Sequence, residues 1–341
     1  MNPSLVHNLL QIAVSLFPVF LFLTALIFMD SYKLVRFRSV LAASAAGGCA
    51  AAASFAVNVL LLSFLTIEPG AYALFAGPLV EELIKAAYVV YMIRVKKIGF
   101  MVDGAIYGFA IGAGFSAIEN IYYLRSVTDA NLLLWIIRGF GTAVMHGGAT
   151  AIFAIISKSI SDRYSSDRFR VFLPGLAIAA ALHSFFNHFF LGPVLTTVSL
   201  LVVLPLIVVA VFHQSEQATR HWLGMGFDTD ADLLEMISTG QLAETKVGKY
   251  LQLVKDRLPG EVVFDMLCLL RLHVELSIRA KGMLLMRGAG FPIPADPGTQ
   301  EKFEEMKYLQ KTIGKTGLRT ITPFLHTSSR DLWQLYMLEK Q

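Results

Sequence analysis

The chain has 341 residues, of which 55% are hydrophobic and 16% are charged, and its formal net charge is +4. A soluble domain cannot bury this much apolar surface, so the composition predicts an integral membrane protein in contact with the lipid bilayer. The positive charges of the first two thirds lie in short loops and form no basic stripe, so nucleic acid is not expected as a partner.

Seven apolar runs are long enough to cross a bilayer, which takes about 20 helical residues. They lie at residues 9–29, 40–65, 71–93, 104–124, 131–157, 171–191 and 194–213. Basic clusters follow the first, third and fifth runs, so the positive-inside rule predicts a cytoplasmic C-terminus and an N-terminus on the opposite side. Gly77-Pro78 marks the weakest boundary, because the third span can also begin at Pro78.

Ionisable side chains in the third and fourth spans are candidates for a functional site, because placing charge inside a bilayer costs several kcal/mol. The third span contains Glu81 and Glu82 near its middle, with Lys85 one helical turn beyond Glu81. Lys85 can neutralise only one carboxylate, so the other needs a different partner or a catalytic purpose. Glu119 and Asn120 end a stripe of small residues in the fourth span that permits close helix contact. At that position Glu119 can be a solvated rim residue or a site residue.

Polar residues in the fifth and sixth spans also recur at helical spacing. The fifth span carries a stripe at i+4 intervals made of Arg138, Thr142, His146 and Thr150. In the sixth span, His183 and Asn187 lie one turn apart, whereas His188 faces elsewhere and is expected at the membrane interface. The helical rise places the two histidines, Asn187 and Glu81 in one broad layer of the bilayer, which favours one shared cavity.

The ordered set of these residues resembles the PrsW family of intramembrane proteases, which are distantly similar to type II CaaX prenyl proteases and bacteriocin-processing proteins. The resemblance rests on Glu81-Glu82-x-x-Lys85, Glu119-Asn120, His146 and His183-x-x-x-Asn187, on successive spans across roughly residues 70–192. It implies a peptide-bond hydrolase of the bacterial cytoplasmic membrane that acts on a membrane-anchored protein. An anti-sigma factor is a substrate known in the family. The long C-terminal region departs from the minimal family pattern.

Amide hydrolysis needs an activated water, stabilisation of an oxyanion and a proton for the leaving amine. We predict that Glu81, helped by His146, is the general base, and that Glu82 holds Lys85 or a neighbouring helix, although the two glutamates can exchange roles. His183 and Asn187 are the predicted oxyanion donors. The supporting residues are Lys85, Glu119, Asn120 and Arg138.

Three alternatives remain open at this point. A zinc mechanism would use Glu82, His146 and His183 as ligands with the other glutamate as base. Lys85 and the lack of an HExxH motif weigh against it, so no cofactor is expected and zinc is the alternative. A non-enzymatic immunity or scaffold protein would use the same polar cavity for binding, and a transporter would use it for proton transfer.

The C-terminal region, residues 214–341, is predicted to be a soluble helical domain that follows a transmembrane bundle at residues 1–213. Apolar residues recur at helical spacing over 230–238, 247–258 and 261–287, and Pro259-Gly260 separates the last two segments. A Pro-rich loop at 291–298 precedes a charged helix, and a last helix is expected after 327–329. This domain is expected to bind a protein partner or to self-associate. The overall expectation is therefore an all-α fold of about seven transmembrane helices with a helical tail.

Overall fold

A computed structural model describes residues 35–126, 136–164, 168–291 and 298–325, together with residues 17, 20–28, 30 and 338. Every regular element among these residues is helical and none is a strand, which confirms the all-α prediction. The chain divides into two compact units, Met1–Ser215 and Glu216–Gln341.

Six helices of 16 or more residues, among the described residues, belong wholly or partly to the first unit. They are α1 (Phe37–Phe64), α2 (Gly77–Arg94), α3 (Met101–Ser126), α4 (Ala143–Tyr164), α5 (Leu173–His188) and α6 (Pro193–Ser238). The second unit contains the end of α6 and three further helices, α7 (Lys246–Lys255), α8 (Gly260–Gly288) and α9 (Gly298–Ile321). The helix predicted separately at 230–238 is the end of α6, so that boundary was wrong. The predicted helix after 327–329 and most of the Pro-rich loop fall outside the described residues.

Five helical segments among the described residues are long and apolar enough to cross a membrane. They are Phe37–Phe64, Met101–Tyr123, Gly139–Tyr164, Phe169–His188 and Pro193–Ser238. The predicted third span corresponds to α2, whose four charged residues keep it out of this set. Most of the predicted first span lies outside the described residues, although residues 20–28 are helical.

Glycines allow α3 to approach α1 and α4 closely. A Cβ atom added to Gly114 would lie 1.8 Å from the carbonyl oxygen of Ser44 in α1, and one added to Gly112 would lie 2.1 Å from the carbonyl oxygen of His146 in α4. Any side chain at either position would therefore push the helices apart. This packing follows the small-residue stripe seen in the sequence, and it brings α3 and α4 close enough for Glu119 to contact His146.

Candidate active site

Four helices bring six predicted residues into one cluster. Glu81, Glu82 and Lys85 come from α2, Glu119 from α3, His146 from α4 and His183 from α5. The cluster joins residues up to 102 positions apart in the chain, Glu81 and His183.

Glu82 lies at the centre of the cluster, with a side chain that is only 1% exposed. Its Oε1 atom accepts hydrogen bonds from Nζ of Lys85 at 2.5 Å and from Nδ1 of His183 at 2.9 Å. A buried carboxylate needs such partners, because an unpaired charge away from water is costly. Glu82 is therefore the glutamate that holds Lys85 and a neighbouring helix, as the first of the two predicted assignments has it.

The two histidines have different hydrogen-bonding states, which follow from the chemistry of their partners. Nδ1 of His146 lies 3.0 Å from Nζ of Lys85, and an ammonium group can only donate, so this Nδ1 accepts. Nε2 of His146 then carries the hydrogen and donates it to Oε2 of Glu119 at 2.8 Å. His183 is reversed: its Nδ1 donates to Glu82, so in the neutral ring its Nε2 has a lone pair. That atom lies 3.9 Å from Oε2 of Glu81.

Glu81 and Glu119 form the accessible front of the cluster. Their side chains are 22% and 26% exposed, and both line a cavity of about 490 Å³ between α1 and α3. Asn58 of α1 also lines this cavity, and its Nδ2 donates to Oε1 of Glu81 at 3.4 Å. Substrate in the cavity would therefore meet two carboxylates, with the Lys85 ammonium group and the two imidazole rings buried behind them.

A proline-containing break in the helix before α2 determines how α5 is attached. Residues Tyr72–Ala76 form a π-helix, and Pro78 has no N–H to donate to the carbonyl of Ala73 or of Leu74. These two carbonyls accept hydrogen bonds from α5 instead, from Nδ2 of Asn187 at 3.1 Å and from Oγ of Ser184 at 2.6 Å. The break therefore fastens α5 to the segment just before the paired glutamates.

Asn187 and His183 were predicted to bind the oxyanion together. In the structure Asn187 donates to the carbonyl of Ala73, whereas His183 donates to Glu82. Sequence reasoning missed Ser184 and Asn58, since an isolated Ser or Asn in an apolar helix is an ordinary feature. The Gly77-Pro78 pair was the available signal for Ser184, because a proline inside a helix always removes a backbone donor. His188 contacts Phe75 at a ring separation of 4.9 Å, and its Nδ1 lies 2.7 Å from the carbonyl oxygen of Ser184.

The predicted polar stripe in the fifth span is interrupted. Residues Ile137–Thr142 are π-helical, so their hydrogen bonds run at i+5 and Arg138 is not one α-helical turn from Thr142. The side chain of Arg138 lies outside the described residues. The regular part of the stripe is in α4, where Oγ1 of Thr150 donates to the carbonyl of His146 at 2.9 Å. Asn120, predicted as a supporting residue, is fully buried in α3.

Three residues of the cluster can be tested as metal ligands. Glu81, His146 and His183 each place one ligand atom within 4.8 Å of the others, whereas the sequence-based set contained Glu82. Carboxylate and imidazole are suitable zinc ligands, and the hydrogen bond from Nδ1 of His183 to Glu82 would orient the ring so that Nε2 could bind the ion. The charges also suit a dication, because three carboxylates face one ammonium group. Nε2 of His146 would have to give up its hydrogen to bind a metal.

A family model described as "PrsW family intramembrane metalloprotease" matches residues 36–212, just over half of the chain. The chain belongs to the PrsW family of intramembrane proteases. It is therefore a multi-pass membrane protein and a protease, and the matched range contains all six cluster residues. No curated protein and no solved structure matches the chain. The residues beyond 212, including the second unit, lie outside the family match.

Proposed function

We propose that this PrsW family member hydrolyses a peptide bond of a membrane-anchored protein with a water held between Glu81 and His183. The observation that carries this proposal is the separation of 3.9 Å between Oε2 of Glu81 and Nε2 of His183 beside the cavity. Both atoms accept hydrogen bonds, so one water can donate a hydrogen to each and keep a lone pair for the scissile carbonyl.

Attack of this water transfers a proton to the Glu81–His183 pair while the carbonyl becomes an oxyanion. The N–H of His146, which donates to Glu119 before substrate binds, would shift to the oxyanion and supply the compensating hydrogen bond, strengthened by the Lys85 ammonium group on the other side of the ring. The proton held by the pair passes to the leaving amine as the C–N bond breaks. In this scheme His183 acts as a base, and Asn187 positions α5 instead of binding the oxyanion.

A zinc-dependent mechanism is the second candidate, and two observations favour it: the ligand group of Glu81, His146 and His183, and the family description as a metalloprotease. These three residues would hold the ion. A zinc ion would supply a bound water of lowered pKa and a Lewis acid for the carbonyl. Glu82 would keep His183 oriented through Nδ1 in either mechanism.

The substrate and cellular setting follow from the family resemblance and loop charge. We propose an anti-sigma-factor-like membrane protein as substrate, in a bacterial cytoplasmic membrane. The N-terminus would be outside and the C-terminus cytoplasmic. The second unit would bind a protein partner or self-associate, since all six residues of the cluster lie in the first unit.

Cleavage by purified protein in liposomes tests this proposal. The reporter is a synthetic single-span peptide of about 20 apolar residues with two central glycines, which weaken its helix. Glu81→Gln should abolish cleavage, while Glu68→Gln, which changes an exposed glutamate outside the cluster, should not. Full activity of Glu81→Gln would reject the mechanism.

Metal content separates the two candidates. The glutamate mechanism predicts activity that survives dialysis against a chelator and no stoichiometric metal in active protein. Loss of activity on dialysis, restored by zinc, together with one bound zinc per chain, would establish the second candidate instead.

A further inference from the structure

The cavity in front of Glu81 is a crevice between α1 and α3. Below it the two helices touch backbone to backbone, because a Cβ atom at Gly47 would lie 1.8 Å from the carbonyl oxygen of Ile111. Beyond this contact they leave space, and each wall includes four residues spaced at i, i+3, i+4 and i+7. These are Ala51, Ser54, Phe55 and Asn58 on α1, and Phe115, Ile118, Glu119 and Tyr122 on α3.

The mouth of the crevice is apolar and exposed. Phe55 and Tyr122 face each other across it with ring centroids 5.4 Å apart, and each is about half exposed. The neighbouring exposed residues on α1, including Val59 and Leu60, are also apolar. Because α1 and α3 are both membrane-spanning candidates, a partner that reaches this mouth comes from the lipid phase.

We propose that the crevice between α1 and α3 admits the membrane-spanning segment of the substrate sideways from the lipid and binds a short unwound stretch of it in front of Glu81. This inference rests on the proposed function, and it specifies the conformation in which that site binds its substrate. The polar groups at the inner end and the apolar mouth match such a segment, whose side chains are apolar and whose unwound backbone is polar.

The cavity has about the volume of one helical turn. One turn of an α-helix, about 5.4 Å long and about 10–12 Å wide, fills roughly 420–610 Å³, and the cavity measures about 490 Å³. The carbonyl groups of an intact helix are also hydrogen-bonded to N–H groups four residues along, so the peptide must unwind before water attacks it.

Unwinding within a membrane exposes backbone polar groups that lipid cannot satisfy. The crevice provides polar side chains at the required depth: Asn58 and Tyr122 on its walls, and Glu119 beside Glu81. Asn58 is already oriented, since its Oδ1 accepts a hydrogen bond from the hydroxyl of Tyr72 at 2.8 Å and its Nδ2 faces Glu81. These groups replace the hydrogen bonds that the segment loses.

Photo-crosslinking tests binding independently of cleavage. Phe55→p-benzoylphenylalanine in a Glu81→Gln background should crosslink the single-span glycine reporter near its central residues. The same replacement at Phe64, an exposed position at the end of the same helix, should crosslink it at least several-fold less. Equal crosslinking from both positions, or none from Phe55, overturns the proposal.

Blocking the crevice tests its role in turnover. Ala52 lines the cavity and its neighbour Ala53 does not, although both are exposed on α1. Ala52→Trp should reduce cleavage of the reporter by at least tenfold, and Ala53→Trp should leave it near the wild-type level. Equal cleavage by both variants overturns the crevice and leaves the proposed function standing. Crosslinking from Phe55 without any cleavage by the wild-type protein supports the crevice and rejects the proposed function.

Discussion

Glu81 and Glu82 are adjacent in the chain but have different surroundings, because neighbouring helical residues point about 100° apart. Glu82 faces inward to Lys85 and His183, whereas Glu81 faces the cavity. The sequence indicated that one carboxylate would pair with Lys85. It did not determine which one, since both i+3 and i+4 spacings bring side chains together on a helix.

This difference predicts that neutralising Glu81 and neutralising Glu82 have different effects on activity and stability. Glu82→Gln leaves the buried Lys85 without a counter-charge, which typically costs about 3–5 kcal/mol, so it should lower both stability and activity. Glu81→Gln should lose activity with little change in stability, because the Glu81 side chain is partly exposed. Thermal unfolding of both variants in the same detergent measures the difference. A lower melting temperature for Glu81→Gln than for Glu82→Gln would contradict this assignment.

At the scale of elements, the important feature is the π-helical segment before α2 and its bonds to α5. Hydropathy predicted that both segments are helices in the membrane. It did not predict the π-helix, because a π turn and an α turn have the same composition and differ only in which carbonyl each N–H reaches. Pro78 favours the π-helix at this position, because it lacks the N–H donor that an unbroken α-helix would require.

Ser184 should therefore act as a positioning residue for His183. Ser184→Ala removes the bond to the carbonyl of Leu74, so we expect kcat to fall by about tenfold with little change in KM, and the pH profile of kcat to shift as His183 moves relative to Glu82. Ser184→Thr keeps the hydroxyl and should restore both. Ser63→Ala, whose hydroxyl bonds to its own helix at Leu60, is the matched control and should behave as wild type. An unchanged pH profile in Ser184→Ala would mean that Ser184 has only a structural role.

Asn187 is tested in the same way, because the sequence and the structure suggest different roles for it. An oxyanion donor would cost roughly a hundredfold or more in turnover when removed, without lowering stability. Its bond to the carbonyl of Ala73 predicts instead that Asn187→Ala lowers the melting temperature and reduces turnover less than tenfold per folded molecule. Measuring both quantities on one preparation decides between the two. A stable variant with a hundredfold loss would make Asn187 catalytic.

For the whole molecule, composition and the length of the apolar runs predicted most of the membrane helices. Five of the seven apolar runs correspond to helices that can cross a membrane, and α2 differs because it contains four charged residues. The sequence did not indicate that α6 continues to Ser238, because the change from apolar to polar residues near 214 resembles a helix end. A helix can continue through such a change in composition when no residue disrupts its backbone hydrogen bonds. No glycine–proline pair is present near residue 214 to end the helix there.

The orientation of the chain in the membrane is also a prediction from the sequence. The basic loops place the segment at 94–103 and the C-terminus in the cytoplasm, and the loop at 125–130 outside. Reporter fusions at each position should be active only in the corresponding compartment. The reverse pattern at all three sites would overturn this orientation.

The second unit should lose part of its stability in acid through Glu275. Burial alone would raise the pKa of this carboxyl, but hydrogen bonds from Lys302 and Arg271 hold its pKa below the usual range. Its folded-state pKa is thus lower than its unfolded value, so the stabilisation is present above about pH 4.5 and is lost as pH falls through the folded-state pKa. The bond from Lys302 joins α9 to α8 at 2.6 Å, so these helices should loosen together.

Hydrogen exchange of the full-length protein measures this effect. At about pH 7 the amides of α8 and α9 should exchange faster in Glu275→Gln than in wild type. The difference should shrink toward about pH 3, where the wild-type carboxyl is increasingly neutral. Glu304→Gln changes an exposed carboxylate of α9 and should match wild type at both values. A difference that stays constant with pH would mean that Glu275 acts through packing, because a lost ion pair must disappear when the acid is protonated.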